Sequence, residues 1–229
     1  MQSQVRGGTR WKRFAVVMVP SVAATAAIGV GLAQGALAAS FAISGQEFKV
    51  TADSLEGTDF VQYGSVDSGS DLAGNPLDVP VAVSGFSTAK ITKMCQSVVT
   101  PKIPIINMDI TLRLEAGTDA VKTGKDEDKV YAEGIYLDVS SLKADAEFKK
   151  IDIGVAAGQL DTFNGKKVDG KPGIQPNTKA NPFGFSQRAE TATLTNVRQK
   201  AWATTAGTFK LPDLNLSLHR GTSAECFKD

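Results

Sequence analysis

The chain of 229 residues carries 25 basic and 24 acidic residues and is 42% hydrophobic, which excludes the low hydrophobicity and high net charge of a disordered protein. Its charge is unevenly placed: Arg6, Arg10, Lys12 and Arg13 sit in the first 13 residues with no acid among them, leaving 21 basic residues against all 24 acids in the rest. That slightly acidic remainder has no basic field to hold a polyanion, so nucleic acid is excluded as a partner.

From Phe14 to Gln46 no residue is charged. As a helix, residues 14–39 would be roughly 39 Å long at ~1.5 Å per residue, enough to cross a hydrocarbon core about 30 Å thick. The basic cluster ahead of this run stays cytoplasmic and places the C-terminal part of the chain outside the membrane. Ala36-Leu37-Ala38 has the small-x-small form read by signal peptidase. Two fates therefore compete. Cleavage near Ala38 releases a secreted domain, and retention leaves an N-terminal membrane anchor. The length of the run favours the anchor; its abundance of Ala, Gly, Ser and Thr favours cleavage. The chain thus divides into a targeting segment, 1–40, and an extracytoplasmic domain, 41–229.

Beyond residue 40 the pattern is that of strands. Phe41–Val50 alternates in part, Val79–Val99 is a long β-forming run with Gly85 as its bend, and Ile103–Leu114 ends in clean alternation at Met108, Ile110, Leu112 and Leu114. Val130–Val139, Ala146–Val155, Ala189–Ala203 and Thr208–His219 continue it, the last with Pro212 marking a bulge or edge. A short helix is expected only at Ser140–Phe148, where Leu142, Ala146 and Phe148 share a face. Turn residues place loops at Asp67–Asp78, Gly117–Lys129 and Asp161–Pro182. The expected fold is mainly β: an antiparallel sandwich or a curved elongated sheet, preceded by one N-terminal apolar helix.

Cys95 and Cys226 are the only cysteines, both in the exported part, and an even count in an oxidising compartment points to a disulfide. Catalytic constellations are hard to assemble. His219 is the sole histidine, so a serine triad must use it as base. The nearest approach to a nucleophile elbow is Gly85-Phe86-Ser87-Thr88-Ala89, which lacks the second glycine. Ser87 and His219 are the candidate catalytic pair, weighed against a bulged-strand serine and a surface histidine. Asp126-Glu127-Asp128 and the acids between Asp67 and Asp71 supply oxygen ligands without the spacing of a calcium loop, and read as solvated turns. No cofactor or metal is expected.

Several stretches carry a likeness. Val5–Ser40, Met94–Val99 (MCQSVV), Ile151–Gly158 (IDIGVAAG) and Ala201–Phe209 (AWATTAGTF) resemble an uncharacterised family of small exported, membrane-associated proteins from streptomycetes and related actinobacteria. Its members often bear the label cholesterol esterase. The similarity runs along nearly the whole chain. It implies export and a cell-envelope setting, and attaches no catalytic residues.

The expected function is that of an exported, membrane-associated β-domain of non-catalytic role. It would meet the membrane through its N-terminal segment and bind lipid, another apolar ligand or an envelope protein. The alternatives are a serine ester hydrolase using Ser87 and His219, and a self-assembling surface protein that pairs through unprotected strand edges.

Overall fold

A computed structural model describes residues 42–103, 107–176 and 178–229. The segment read as an apolar targeting helix, with Ala36 and Ala38, lies outside the described residues. None of the described helices is long and apolar enough to cross a membrane.

The described chain is mainly β and antiparallel. Its strands are β1 (Phe48–Ser70), β2 (Pro76–Thr92), β3 (Met94–Ile103), β4 (Met108–Ala116), β5 (Val130–Ala156), β6 (Thr162–Phe163), β7 (Lys166–Lys167), β8 (Phe185–Thr205), β9 (Thr208–Lys210) and β10 (Asn215–Arg220). One short helix, α1 (Ala120–Thr123), interrupts the β4–β5 connection. Apart from the β6–β7 ribbon, every strand belongs to one sheet with the order β10-β4-β3-β1-β2-β5-β8, and β9 adds to β5.

That sheet also pairs β1 with β8, so its long strands close into a ring. From Phe48 in β1, cross-strand partners lead through Ala201 in β8, Val139 in β5 and Ala82 in β2. They return to β1 at Gly64, sixteen residues beyond the start. So large a stagger tilts the strands steeply against the ring axis. Past Val139, β5 parts from β2 and continues against β8 alone.

Two apolar clusters result. The larger fills the ring with Leu55, Phe60, Phe86, Ile91, Ile135, Leu194 and their neighbours. The smaller gathers Val61, Tyr63, Val81 and Val83 from β1 and β2 under Ile43, Ala157 and Leu160. Each large side chain buried this way contributes roughly 1.5–3 kcal/mol relative to exposure.

Several expectations are corrected. Ser140–Phe148 is not helical but lies in the middle of β5. Leu142, Ala144, Ala146 and Phe148 all line one cavity, a period-two face that the expected helix sampled only at three positions. Val130–Val139 and Ala146–Val155 are therefore one strand. Gly85 makes no bend. It sits inside β2, where an added Cβ would come within 2.7 Å of the Tyr136 ring, so its bare backbone is what admits that aromatic. The break in Val79–Val99 falls instead at Lys93, which takes φ 52° between β2 and β3. Thr208–His219 is divided at Pro212-Asp213 into β9 and β10, and the Asp213 carboxylate accepts the N–H groups of Gly117, Thr118 and Asp119. Asp67 is no loop residue. It lies within β1, which runs on to Ser70.

Candidate functional site

The side chains that gather around one cleft come from three consecutive cross-strand rows of β1, β8 and β5. Phe60 pairs with Ala189, and Ala189 with Ile151, forming the central row. One flanking row brings together Asp59, Glu190 and Lys150; the other brings Val61, Arg188 and Asp152. All nine residues line the cleft. Ordinary strands could not do this, since successive side chains point to opposite faces. Here Asp59 and Lys150 adopt φ 54° and 53° on the two outer strands, which breaks the alternation at the same level of the sheet. On those two strands consecutive residues can then face a common space, while β8 contributes Arg188, Ala189 and Glu190 without such an inversion.

The roof is the connection of residues 157–184. Leu160, Phe163, Val168, Lys171 and Pro172 close over the rows and leave a cavity of about 470 Å³, within the usual range of small-ligand sites. Arg188 holds this roof down. Its guanidinium donates to the carbonyls of Gln159, Leu160 and Thr162 at 3.2, 3.3 and 2.7 Å, pairs with Asp152 at 2.9 Å, and lies 4.0 Å from the Phe163 ring centre. Further tethers run from the Gln175 N–H to the Tyr63 hydroxyl, and from the Tyr136 hydroxyl to the Gly173 carbonyl. Lys171 pairs with Asp59, and Lys150 with Glu190. The rim thus carries three cations and three anions, each cation facing an acid. The walls between them are apolar: Phe60, Val61, Ile151, Leu160, Phe163, Val168, Pro172 and Ala189.

A second, smaller cavity of about 160 Å³ lies between β1–β2 and the part of β5 that has left β2. Leu55, Phe86, Leu137, Leu142, Ala146, Phe148 and Leu194 supply apolar walls, with Gln62 and Ser84 hydrogen-bonded to each other at one end. Phe60 lines both cavities. Its ring lies 5.3 Å from that of Phe86 and 5.1 Å from that of Phe148.

A model of a family of unknown function, DUF6230, matches residues 44–227, which takes in the whole ring and both cavities. The chain belongs to the DUF6230 family. No curated protein and no solved structure matches it.

The sequence candidates fall elsewhere in this DUF6230 domain. Ser87, on β2, donates to the Gly170 carbonyl at 3.2 Å. His219, on β10, is exposed and bonds Ser217 at 2.9 Å. In the sheet order β4, β3 and β1 stand between their strands, and the structure does not bring the pair together. Cys95 and Cys226 form a disulfide with Cα atoms 5.9 Å apart, fixing the C-terminal tail to β3. Asp126 faces Lys90 and Lys129, whose hydrogen bonds hold its carboxyl below the usual range. Asp71 caps its own turn by accepting the N–H groups of Ala73 and Asn75. Among the described residues no three His, Cys, Asp or Glu side chains are grouped to hold a metal.

One polar group of this DUF6230 domain, a notional third member for a Ser87–His219 triad, is buried in a way that its sequence position does not announce. Asp138 on β5 is 7% exposed and faces Asp67 of β1. Burial, the Asp67 charge and side-chain hydrogen bonding with Asp67 push the Asp138 carboxyl up to about 7. Asp67 is itself raised by burial, an effect the Asp138 hydrogen bond opposes. Ser65 Oγ, Asp67 Oδ2 and Asp138 Oδ1 are buried without a hydrogen-bond partner among the described residues. A buried carboxyl in such a setting gives no signal in sequence, because Asp138 follows Leu137 in an ordinary apolar–polar alternation.

Proposed function

We propose that this is an exported, membrane-associated envelope domain of non-catalytic role that binds an apolar ligand, lipid foremost, in the cleft beneath residues 157–184. The observation that carries the reading is the 470 Å³ cavity, whose walls are apolar and whose rim charges already face one another. Such a rim spends its charges on holding the roof and leaves the apolar interior to do the binding. The uncharged run after the basic N-terminal cluster supports export, and a disulfide suits an oxidising compartment. Native mass spectrometry of protein purified from its host tests the reading. Bound lipid is expected, and it should be displaced in an Ala189→Trp variant that fills the cleft. Protein that carries no lipid and takes up none from vesicles would overturn it.

A second reading, self-assembly at an envelope surface, is favoured by β10. Among the described strands it ends the sheet order, and Leu214, Leu216 and Leu218 stand 50%, 57% and 68% exposed on or beside it. An unprotected apolar edge is a template for pairing with another chain. Sedimentation should then show concentration-dependent association that Leu216→Lys abolishes; a monomer at all concentrations would dismiss this reading.

A further inference from the structure

The two cavities meet at one side chain. We infer that Phe60 is the stop that sets the acyl-chain length this domain accepts, and that the preferred ligand is a neutral single-chain acyl lipid. The inference rests on the lipid-binding reading and deepens it.

Phe60 is 4% exposed and lines both the cleft under residues 157–184 and the cavity between β1–β2 and β5. Phe86 and Phe148 flank its ring at 5.3 and 5.1 Å and line only the inner cavity. The ring therefore stands as a partition backed by two other rings. A chain entering the cleft meets it, and on its other side lie about 160 Å³ of mainly apolar space that reaches solvent at Leu142 and Ala146. If a methylene needs the ~30 Å³ share of a water molecule, that space holds about five carbons. Gln62, two residues on from Phe60, donates to Ser84 and accepts from Gln187 at 2.9 and 2.6 Å, a polar stretch of that cavity's wall unsuited to methylenes.

The rim decides the headgroup. Lys150, Lys171 and Arg188 face Glu190, Asp59 and Asp152. A headgroup of either charge must break one of these pairs or sit beside a like charge, whereas an uncharged polar headgroup accepts and donates hydrogen bonds without disturbing them. Arg188 is further committed to three carbonyls of the roof.

The test is a chain-length series of monoacylglycerols, eight to twenty carbons, titrated into the intact protein by calorimetry. Affinity should rise by up to about fourfold per carbon, the partition of one buried methylene, and then reach a plateau. In Phe60→Ala the plateau should move out by about five carbons. Filling the inner cavity in that background with Ala146→Phe should bring it back, and Phe60→Leu, a milder change, should shift it part-way if the alanine variant folds poorly. An unchanged plateau in folded Phe60 variants, or wild-type affinity still climbing at twenty carbons, would overturn the stop. Free fatty acids binding as tightly as the matched monoacylglycerols would overturn the neutral headgroup. Failure of every chain length to bind would count against the lipid reading itself, a result distinct from these.

Discussion

Replacing Asp138 by asparagine should stabilise the protein above neutral pH and flatten its pH dependence. In the folded state burial and the Asp67 charge raise the Asp138 carboxyl from 3.8 to about 7. Between these values the folded protein holds a proton that the unfolded chain has released. Stability therefore falls as pH rises from about 4 to about 7, and levels off once both states are ionised. Three units at ~1.36 kcal/mol each set an upper figure of about 4 kcal/mol, and relaxation of the paired acids brings the expected loss to roughly 2–4 kcal/mol. Asparagine keeps the shape and still donates a hydrogen bond to Asp67, but has no proton to lose. Urea titrations at pH 5, 6, 7 and 8 measure this directly. Wild type should lose stability from pH 5 to pH 7 and level off towards pH 8, while Asp138→Asn should vary far less and be the more stable of the two at pH 8. Equal slopes for the two proteins would refute the argument, because they would mean that Asp138 carries no proton in the folded state at pH 5.

Two further outcomes test other parts of the structure. The Cys95–Cys226 bridge spans 131 positions and ties the tail to β3; reducing it should lower stability by about 2–4 kcal/mol, measured as a fall in the urea midpoint, somewhat below the ~5 kcal/mol that chain entropy alone allows. Arg188→Ala should speed tryptic cleavage at Lys166 and Lys167 severalfold with only a small change in melting temperature, since it frees the roof without opening the ring. Arg188→Lys should cleave almost as fast, because an ammonium cannot serve the carboxylate, the ring and three carbonyls together.

How much of this was legible in the residues depended on how often apolar residues recur along a strand. Ala189–Ala203 was recognisable because Ala189, Ala192, Leu194, Val197, Ala201 and Ala203 are buried along it, although the buried set changes parity before Ala192 and again at Asn196, which takes φ 54°. The strand β1 was visible only at its start. After Val50 it runs through small and polar residues, and at Asp59 a positive φ puts Phe60 and Val61 side by side as buried neighbours. A period-two search fails at such a point for a physical reason: the backbone has turned over. The same event at Lys150 hid the other wall of the cleft. The site was illegible because its residues are ordinary ones, three from each of three strands, made into a cavity by ring closure and two backbone inversions. Search by chemistry drew attention to Ser87 and His219 instead, which are noticeable residue types in unremarked places. The disulfide needed only a count and a compartment.

Ring closure has a consequence for the order of events when the chain folds. β1 pairs with β2 through a short hairpin, but its other edge waits for β8, with Phe60 meeting Ala189 far downstream in the chain. During N-to-C synthesis that edge is therefore unpaired while most of the domain has yet to arrive, a state open to aggregation. Contacts this distant are slow to form. The last clasp, Cys226 on Cys95, becomes available only when the end of the chain appears. A helper that shields the free edge of β1 during this interval would act on the vulnerable species, and the finished ring would retain no trace of it.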